Sequence, residues 1–557
     1  MTDKTIDSLI RKSDALFGSV ERSNSDHLWN ELAEYMLNNQ HGVFLSGQST
    51  ANAPLLGATS VTPGVKKTKN VYDSTALQAV QDLAAAFQGT LTNPATVWSK
   101  LRFQNDELNN NEEAVQWLES VNNIIHKEFS ESNFDTEVAK AYQSFVSLAN
   151  MVLMQEERIN DDGTFGGFRF TSMHLGQIAW AEDKDGLVDT MYRKFNMTGK
   201  QLVEKFGEEN LHKNVVRAAE KEPHRNFELM HCIFKRDPKE VKLNELGLAP
   251  GDKRPIASVY IDVENKHMIE EGGFYEFPSY VARWSLMPGE VYGRGPGHLA
   301  LPDTRTLNRL KKRGLEAIDL QVRPPMLANQ RDVFGQLDLR PGAISIVKDH
   351  NGVREFVSQS RADILQFSVE ELRASIRGIF FLDKLLLPDR TETGEMTAFE
   401  VSQRLEQMQR VLGPTLSRIN SEFLSPLVVR SFKMLLRAGA LPSVPRVLQE
   451  LGIDIDIVFV NQLARAQQVQ DVSTIQQWVQ NLGTLAQLVP EVIDNINGDG
   501  IAKHTARILG VPEIAVTDDE QVEQIREQRA QQAQQQEQLE AANLAADTIA
   551  KTGGLSE

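Results

Sequence analysis

Tyr292-Gly-Arg-Gly-Pro-Gly-His-Leu-Ala-Leu-Pro-Asp-Thr-Arg-Thr-Leu-Asn-Arg-Leu-Lys-Lys-Arg-Gly314 sets three glycines before a basic, helix-favouring run. Such a turn could cradle a phosphate, because glycine lets backbone N–H groups come close and a helix start adds partial positive charge. The details argue against it. A Walker loop ends in Gly-Lys-Ser/Thr, so that lysine reaches the outer phosphates, and His298-Leu-Ala-Leu301 stands there instead. A dinucleotide fold needs G-x-G-x-x-G, and position 298 is histidine. Pro296 also removes a donor. The better reading is a hinge at Gly293, Gly295, Pro296 and Gly297, where the chain turns into a helix.

That helix is expected to start at Pro302 or Asp303 and to run to about Arg323, where Pro324 and Pro325 stop it. Arg305, Arg309, Lys312, Glu316 and Asp319 recur at helical spacing and share one face, basic at one end and acidic at the other. Residues 326–360 carry short strand and turn signals. A second helix is expected from Ser368, with Glu371 completing a capping box, through Leu385 to Pro388. Two helices with a compact insertion between their tips form a projection. The polar run Asp389, Arg390, Thr391, Glu392, Thr393, Gly394, Glu395 follows, then a capping box from Thr397 to Glu400. Val401, Leu405, Met408, Leu412, Leu416, Ile419 and Phe423 extend one long helix, with a kink expected at Gly413-Pro414.

Upstream, the amino-terminal part reads as mainly helical, with helical period around Leu28–Tyr35. A second strong helix spans Asp73–Phe87, capped by Asp73 or Ser74 and ending near Gly89. From about Met151 the pattern turns strand-like. Asn160-Asp-Asp-Gly163 suits a hairpin turn, and Phe227–Phe234, Ala257–Val263 and Phe274–Phe277 read as strands. The fold class is therefore α+β, predominantly α-helical. The tail from Asp518 to Lys551 favours helix and holds nine glutamines between Gln521 and Glu540. Its apolar edge is thin, so it is either disordered or flanked by other copies.

Composition narrows the function. The 557 residues allow more than one core. With 76 acidic against 59 basic residues the net charge is −17, which excludes a generally basic nucleic-acid coat and leaves only local DNA contacts. The single Cys232 points to a reducing compartment, and the polar start suggests no secretory signal. No run of about 18 apolar residues occurs, so no membrane-spanning helix is expected. Eleven scattered histidines, with no H-E-x-x-H, C-x-x-C or G-x-S-x-G, give no positive sign of a catalytic residue, a metal or a cofactor.

In order along the chain, His27–Tyr35, Asp73–Ala79, Leu83–Pro94 before Trp98, Gly293–Asp303, Met396–Leu405 and Leu412–Ile419 resemble the portal, or head-to-tail connector, proteins of short-tailed bacteriophages. The resemblance runs from the first helix to at least residue 445. It implies a ring, usually of twelve subunits, at one capsid vertex, with a central channel for packaging and ejecting double-stranded DNA without sequence specificity. It implies a virion protein assembled in the host bacterial cytoplasm, meeting major capsid and scaffolding proteins, a terminase packaging ATPase, a tail adaptor and internal core proteins. Carried onto this chain, residues 1–300 resemble the wing, α+β from about 151. Residues 301–325 and 361–385 resemble the stem helices, 326–360 the clip and 386–395 the tunnel loop. Residues 396–510 resemble the long kinked helix and remaining wing or crown, and 511–557 the crown or barrel.

By that resemblance Asp389 to Glu395 point into the channel, with Arg390 able to touch phosphate; an ordinary surface turn is the alternative. Arg305, Arg309 and Lys312 face the channel, a neighbouring stem helix, or solvent on the outer side. An acidic ring with local basic bands guides DNA without gripping it, since several phosphate contacts would oppose sliding. Two other classes compare less well: a nucleotide-dependent enzyme centred on 293–314, which lacks the lysine, and a tail adaptor, which would be far shorter.

Overall fold

The computed structural model describes residues 3–37, 71–95, 97–105, 108–160, 163–242, 249–322, 326–328, 353–355, 362–385, 412–451 and 455–459, with short pieces between 472 and 532. The chain divides into two compact units, Met1–Asn461 and Gln462–Glu557. In the first, α1 (Asp3–Phe17), α2 (Val20–Met36) and α3 (Thr75–Leu91) precede α4 (Glu112–Glu131) and α5 (Phe134–Leu148). One apolar stripe of α3 packs inward: Val80, Leu83, Ala84 and Phe87 are buried with Leu77 half-buried beside them, and Phe87 meets Tyr142, Phe145 and Trp284 at 5.6–6.1 Å. The helix ends at Leu91, two residues past Gly89 and so near it as expected, with Leu91 buried on the same face.

β2 (Asn150–Ile159) and β3 (Phe165–Ser172) pair as the expected hairpin, and at its end Gly163 N–H donates to Asn160 O at 2.9 Å, with Gly163 at φ 81°, where glycine avoids the Cβ clash. A strand missed by the helical reading, β1 (Ser99–Phe103), pairs antiparallel with β12 (Ile455–Phe459). The main sheet is an antiparallel meander of β4 (Ile178–Glu182), β5 (Val188–Thr198), β6 (Asn226–Lys235), β7 (Ile256–Asp262) and β8 (His267–Phe274). β2 sits centrally in a second sheet between β3 and β9 (Ser279–Arg283). The strand expected over Phe274–Phe277 is corrected: β8 ends at Phe274, and Glu276 is drawn off to form a bidentate pair with Arg437 at 2.7 Å.

Alternation along β6 and β7 gives the meander two apolar faces. Met230, Cys232, Val259 and Ile261 pack under Ile6 and Leu9 of α1, while Phe227, Leu229 and Tyr260 pack against α6 (Gly199–Phe206) and α7 (Lys213–Lys221). Glu228 in β6 is half-buried; burial pushes its carboxyl up to about 7, Lys194 opposes this, and Asp14 and Glu264 add to it. A carboxyl raised in the folded state binds its proton more tightly there than in the unfolded chain. Its contribution is therefore full at acid pH and is lost as pH rises from about 4.5 to about 7. Glu228→Gln is expected to flatten that fall, read as melting temperature against pH; an unchanged slope would refute it.

Three helix boundaries depart from expectation. α8 spans Pro296–Val322, so the helix begins at Pro296 and Pro302 lies inside it. A proline at the first helical position costs no bond. Burial of Ala300 and Leu301 keeps the turn helical across Pro302, which cannot donate. α9 begins at Ala362 rather than Ser368 and runs to Ile379, with Val369, Ile376 and Phe380 buried. A serine followed by glutamate at i+3 also fits a helix interior, and packing against α8 decides. A break with Phe381 at φ 58° separates it from α10 (Leu382–Leu385).

Residues 401–411 lie outside the described set. Gly413 and Pro414 stand within helix, and the described irregularity is a π-turn at Asn420–Leu424 before α11 (Ser425–Arg437). Pro426 explains it, since a proline cannot bond the carbonyl four residues back and crowds it, and a wider turn relieves both.

Candidate functional site

The glycine turn lies where α8 leaves the core. None of Gly293, Gly295 and Gly297 has positive φ; each is small because backbone passes close by. A Cβ on Gly293 would lie 2.7 Å from the Ala149 carbonyl oxygen, and one on Gly295 would lie 3.0 Å from Ala149 Cβ and Trp284 Cγ. One on Gly297 would overlap the Ser147 carbonyl oxygen.

Three of the N–H groups a phosphate would need already have acceptors. Gly293 N–H donates to Asn150 Oδ1 at 2.8 Å, Arg294 N–H to Ser285 O at 2.8 Å and Gly295 N–H to His298 Nδ1 at 3.3 Å. Because Nδ1 accepts, the neutral His298 carries its proton on Nε2; burial, with Arg294 adding, pushes its pKa down to about 4. The adjacent cavity, lined by Glu21, Asn24, Trp29, Tyr292, Arg294 and His298 among others, holds about 120 Å³. Ligand pockets run from about 300 Å³ upward. Few donors and a small cavity give the nucleotide reading no support here.

Polar groups tie the turn and the helix pair to distant elements. Glu21 Oε1 accepts from Val291 N at 2.7 Å and Tyr292 N at 3.3 Å. Arg22, fully buried, donates to Ile178 O at 2.6 Å and Leu175 O at 2.7 Å and lies over the Trp29 ring. Arg283 pairs with Glu182 and with Glu422 inside the π-turn, its Nη2 at 2.7 Å from Glu422 Oε1. Asn308 of α8 accepts from Tyr72 N and Asp73 N through one oxygen, and Arg373 of α9 grips Asp73 Oδ2.

Of the basic band, Arg305, Arg309 and Lys312 are all exposed on α8, and Arg305 lies 3.0 Å from Glu31 of α2. Leu315 and Ile318 on α8 and Phe367 on α9 are also exposed, at 52%, 52% and 73%. Residues 386–395 lie outside the described set. Of 326–360 only the antiparallel pair β10 (Met326–Ala328) and β11 (Val353–Glu355) is described. Among the described residues no three acidic, histidine or cysteine side chains are grouped to hold a metal, and no helix is long and apolar enough to cross a membrane.

A long helix pair, α8 with α9, is rooted in an α+β body. Comparison decides the matter: the sequence matches the family described as bacteriophage head to tail connecting protein over residues 16–516. The chain belongs to that family. It is 28% identical over 548 residues to a protein of Bordetella phage BPP-1 named "Probable portal protein", covering 96% of this chain and 93% of the relative. It is 27% identical over 469 residues to the "Portal protein" of Salmonella phage epsilon15, covering 82% of each.

In this head-to-tail connecting protein, sequence reading found the glycine turn and the band but missed Arg22, Asp73 as a clasp, Arg283, Asn308, Arg373 and Glu422. Only one local signal pointed at any of them. Asn308 stands at a helical spacing of four from Thr304 on the buried face of α8, and both are buried polar residues, which must find partners.

Proposed function

We propose that this chain is the subunit of a portal ring, set at one capsid vertex of a short-tailed phage, through which double-stranded DNA is packaged and ejected. Family membership across residues 16–516 carries the reading, and the names of the two relatives support it. In this reading residues 1–300 form the wing and α8 and α9 the stem, with the clip at 326–360, the tunnel loop at 386–395 and the crown within 511–557. The ring, of about twelve copies, meets the capsid and scaffold, a terminase and later a tail adaptor. DNA translocation is driven by that separate ATPase, with no hydrolysis by this chain.

The exposed Leu315, Ile318 and Phe367 support assembly, since apolar surface on a projecting helix pair is stabilised by burial against neighbours. Arg305, Arg309 and Lys312 then face the channel or an adjacent stem helix, in a chain whose net charge of −17 keeps DNA loosely held. Size exclusion with light scattering tests the ring. The expected mass is many times 62.4 kDa, and a stable monomer at micromolar concentration would overturn the reading.

A further inference from the structure

Asp73, Asn308 and Arg373 come from three separate helices or their approaches and meet in one place, where Asp73 and Asn308 are buried and Arg373 is partly exposed. Asp73, 7% exposed, precedes α3; Asn308, 3% exposed, is mid-α8; Arg373 is mid-α9. Asn308 Oδ1 accepts from Tyr72 N at 2.7 Å and Asp73 N at 3.1 Å, while its amide donates to Thr304 O at 2.8 Å. The two oxygens of Asp73 divide their work. Oδ1 accepts from the Thr75 backbone at 3.0 Å and from its hydroxyl at 2.6 Å, at the start of α3; Oδ2 accepts from Arg373 Nε at 3.1 Å and Nη2 at 2.7 Å. Burial opposes the charge of Asp73, but the bonds from Thr75 and Arg373 outweigh it and hold the carboxyl below its ordinary range.

The surrounding contacts between α3 and the helix pair include apolar ones, and apolar packing is non-directional. It resists separation more than sliding. A slide of one turn, about 5.4 Å, keeps apolar area buried but strips Asn308 of its bonds from Tyr72 N and Asp73 N and Asp73 of Arg373, while the local Thr75–Asp73 and Asn308–Thr304 bonds travel with their own segments. Two other polar ties of the pair lie away from this joint: Arg305 to Glu31 reaches α2 and is exposed, and Ser375 to Asp303 joins α9 to α8. We infer that Asn308 and Arg373 are positioning residues that lock the register of the α8–α9 pair on α3, so that a displacement of the pair is delivered to the amino-terminal helical body. The inference concerns one chain and holds whether or not the ring reading does.

Spin labels on Ala85→Cys in α3 and Glu371→Cys in α9 read the register as a distance distribution, in full-length protein diluted with unlabelled chains. Cys232 is buried and stays unlabelled. The parent is expected to give one narrow distance. Arg373→Met and Asn308→Ala are each expected to broaden it at least about twofold, with Arg373→Lys in between. Thr75→Val removes a bond on the capping oxygen and leaves the clasp; it is expected to lower the melting temperature with the distance unchanged. Distributions of Arg373→Met and Asn308→Ala that match the parent would overturn the inference. So would a Thr75→Val distribution as broad as theirs, which would assign the order to the cap alone.

Discussion

Gly297→Ala is expected to destabilise the protein by about 3 kcal/mol, or to prevent soluble expression, although the residue sits in the first turn of a helix where alanine ordinarily improves stability. The added Cβ would overlap the Ser147 carbonyl oxygen and lie 2.9 Å from its carbon and 3.2 Å from its Cα. All three obstacles are backbone, so no side chain can rotate away. Relief requires moving the last turn of α5 and the Ala149 junction at φ 60°, from which β2 starts. Gly413→Ala is the matched control: it stands in helix with nothing within 4 Å, and a gain of up to about 1 kcal/mol is expected. Thermal or urea unfolding of both variants decides. Equal stabilities would show that the glycine turn yields, contrary to the close packing described above.

Arg283→Met is expected to cost about 3–5 kcal/mol, because it removes the cation from a buried site that keeps its anions. Arg283 is 1% exposed, and its guanidinium serves Glu182 of β4, Glu422 of the π-turn and the carbonyl oxygens of Gly186 and Val291. Without it, Glu182 loses its ion-pair partner, and Glu422 keeps only Arg418 at 3.2 Å and the Arg283 backbone N–H at 2.9 Å. Arg283→Lys should lose less, since charge remains and the planar fork is lost. Urea unfolding measures both, and a loss below about 1 kcal/mol for the methionine variant would show that the carboxylates find water or other partners.

The helices α2 and α3 and the β2–β3 hairpin were legible because each is announced locally, by a 3.6-residue apolar period or by an Asp-Gly turn. β4, β5, β8 and β9 were not. Val188-Asp-Thr in β5 is half-exposed and mixed in character, so it has neither a continuous apolar run nor a clean alternation. Its place as a strand comes from a ladder of partners in β4 and β6. The starts of α8 and α9 were misplaced for a related reason: proline and Ser-x-x-Glu are start signals that also fit helix interiors, and packing chooses between the options.

Of the candidate site, the chain itself marked the glycine turn, the basic run on α8 and, through motifs ordered along its length, the connector family. These are properties of neighbouring residues or of their order, so no folding is needed to read them. What the glycines are for was decided only in three dimensions, by the approach of Ser147 and Ala149, about 150 residues earlier in the chain, not by a phosphate or by positive φ. The clasp of Asp73, Asn308 and Arg373 and the pairing of Arg283 with Glu422 were decided there too. Their partners lie 139 to 300 residues apart, and a buried charge or amide takes whichever partner the packed backbone brings within reach; the Thr304–Asn308 spacing marks a polar pair on α8 but not its partner.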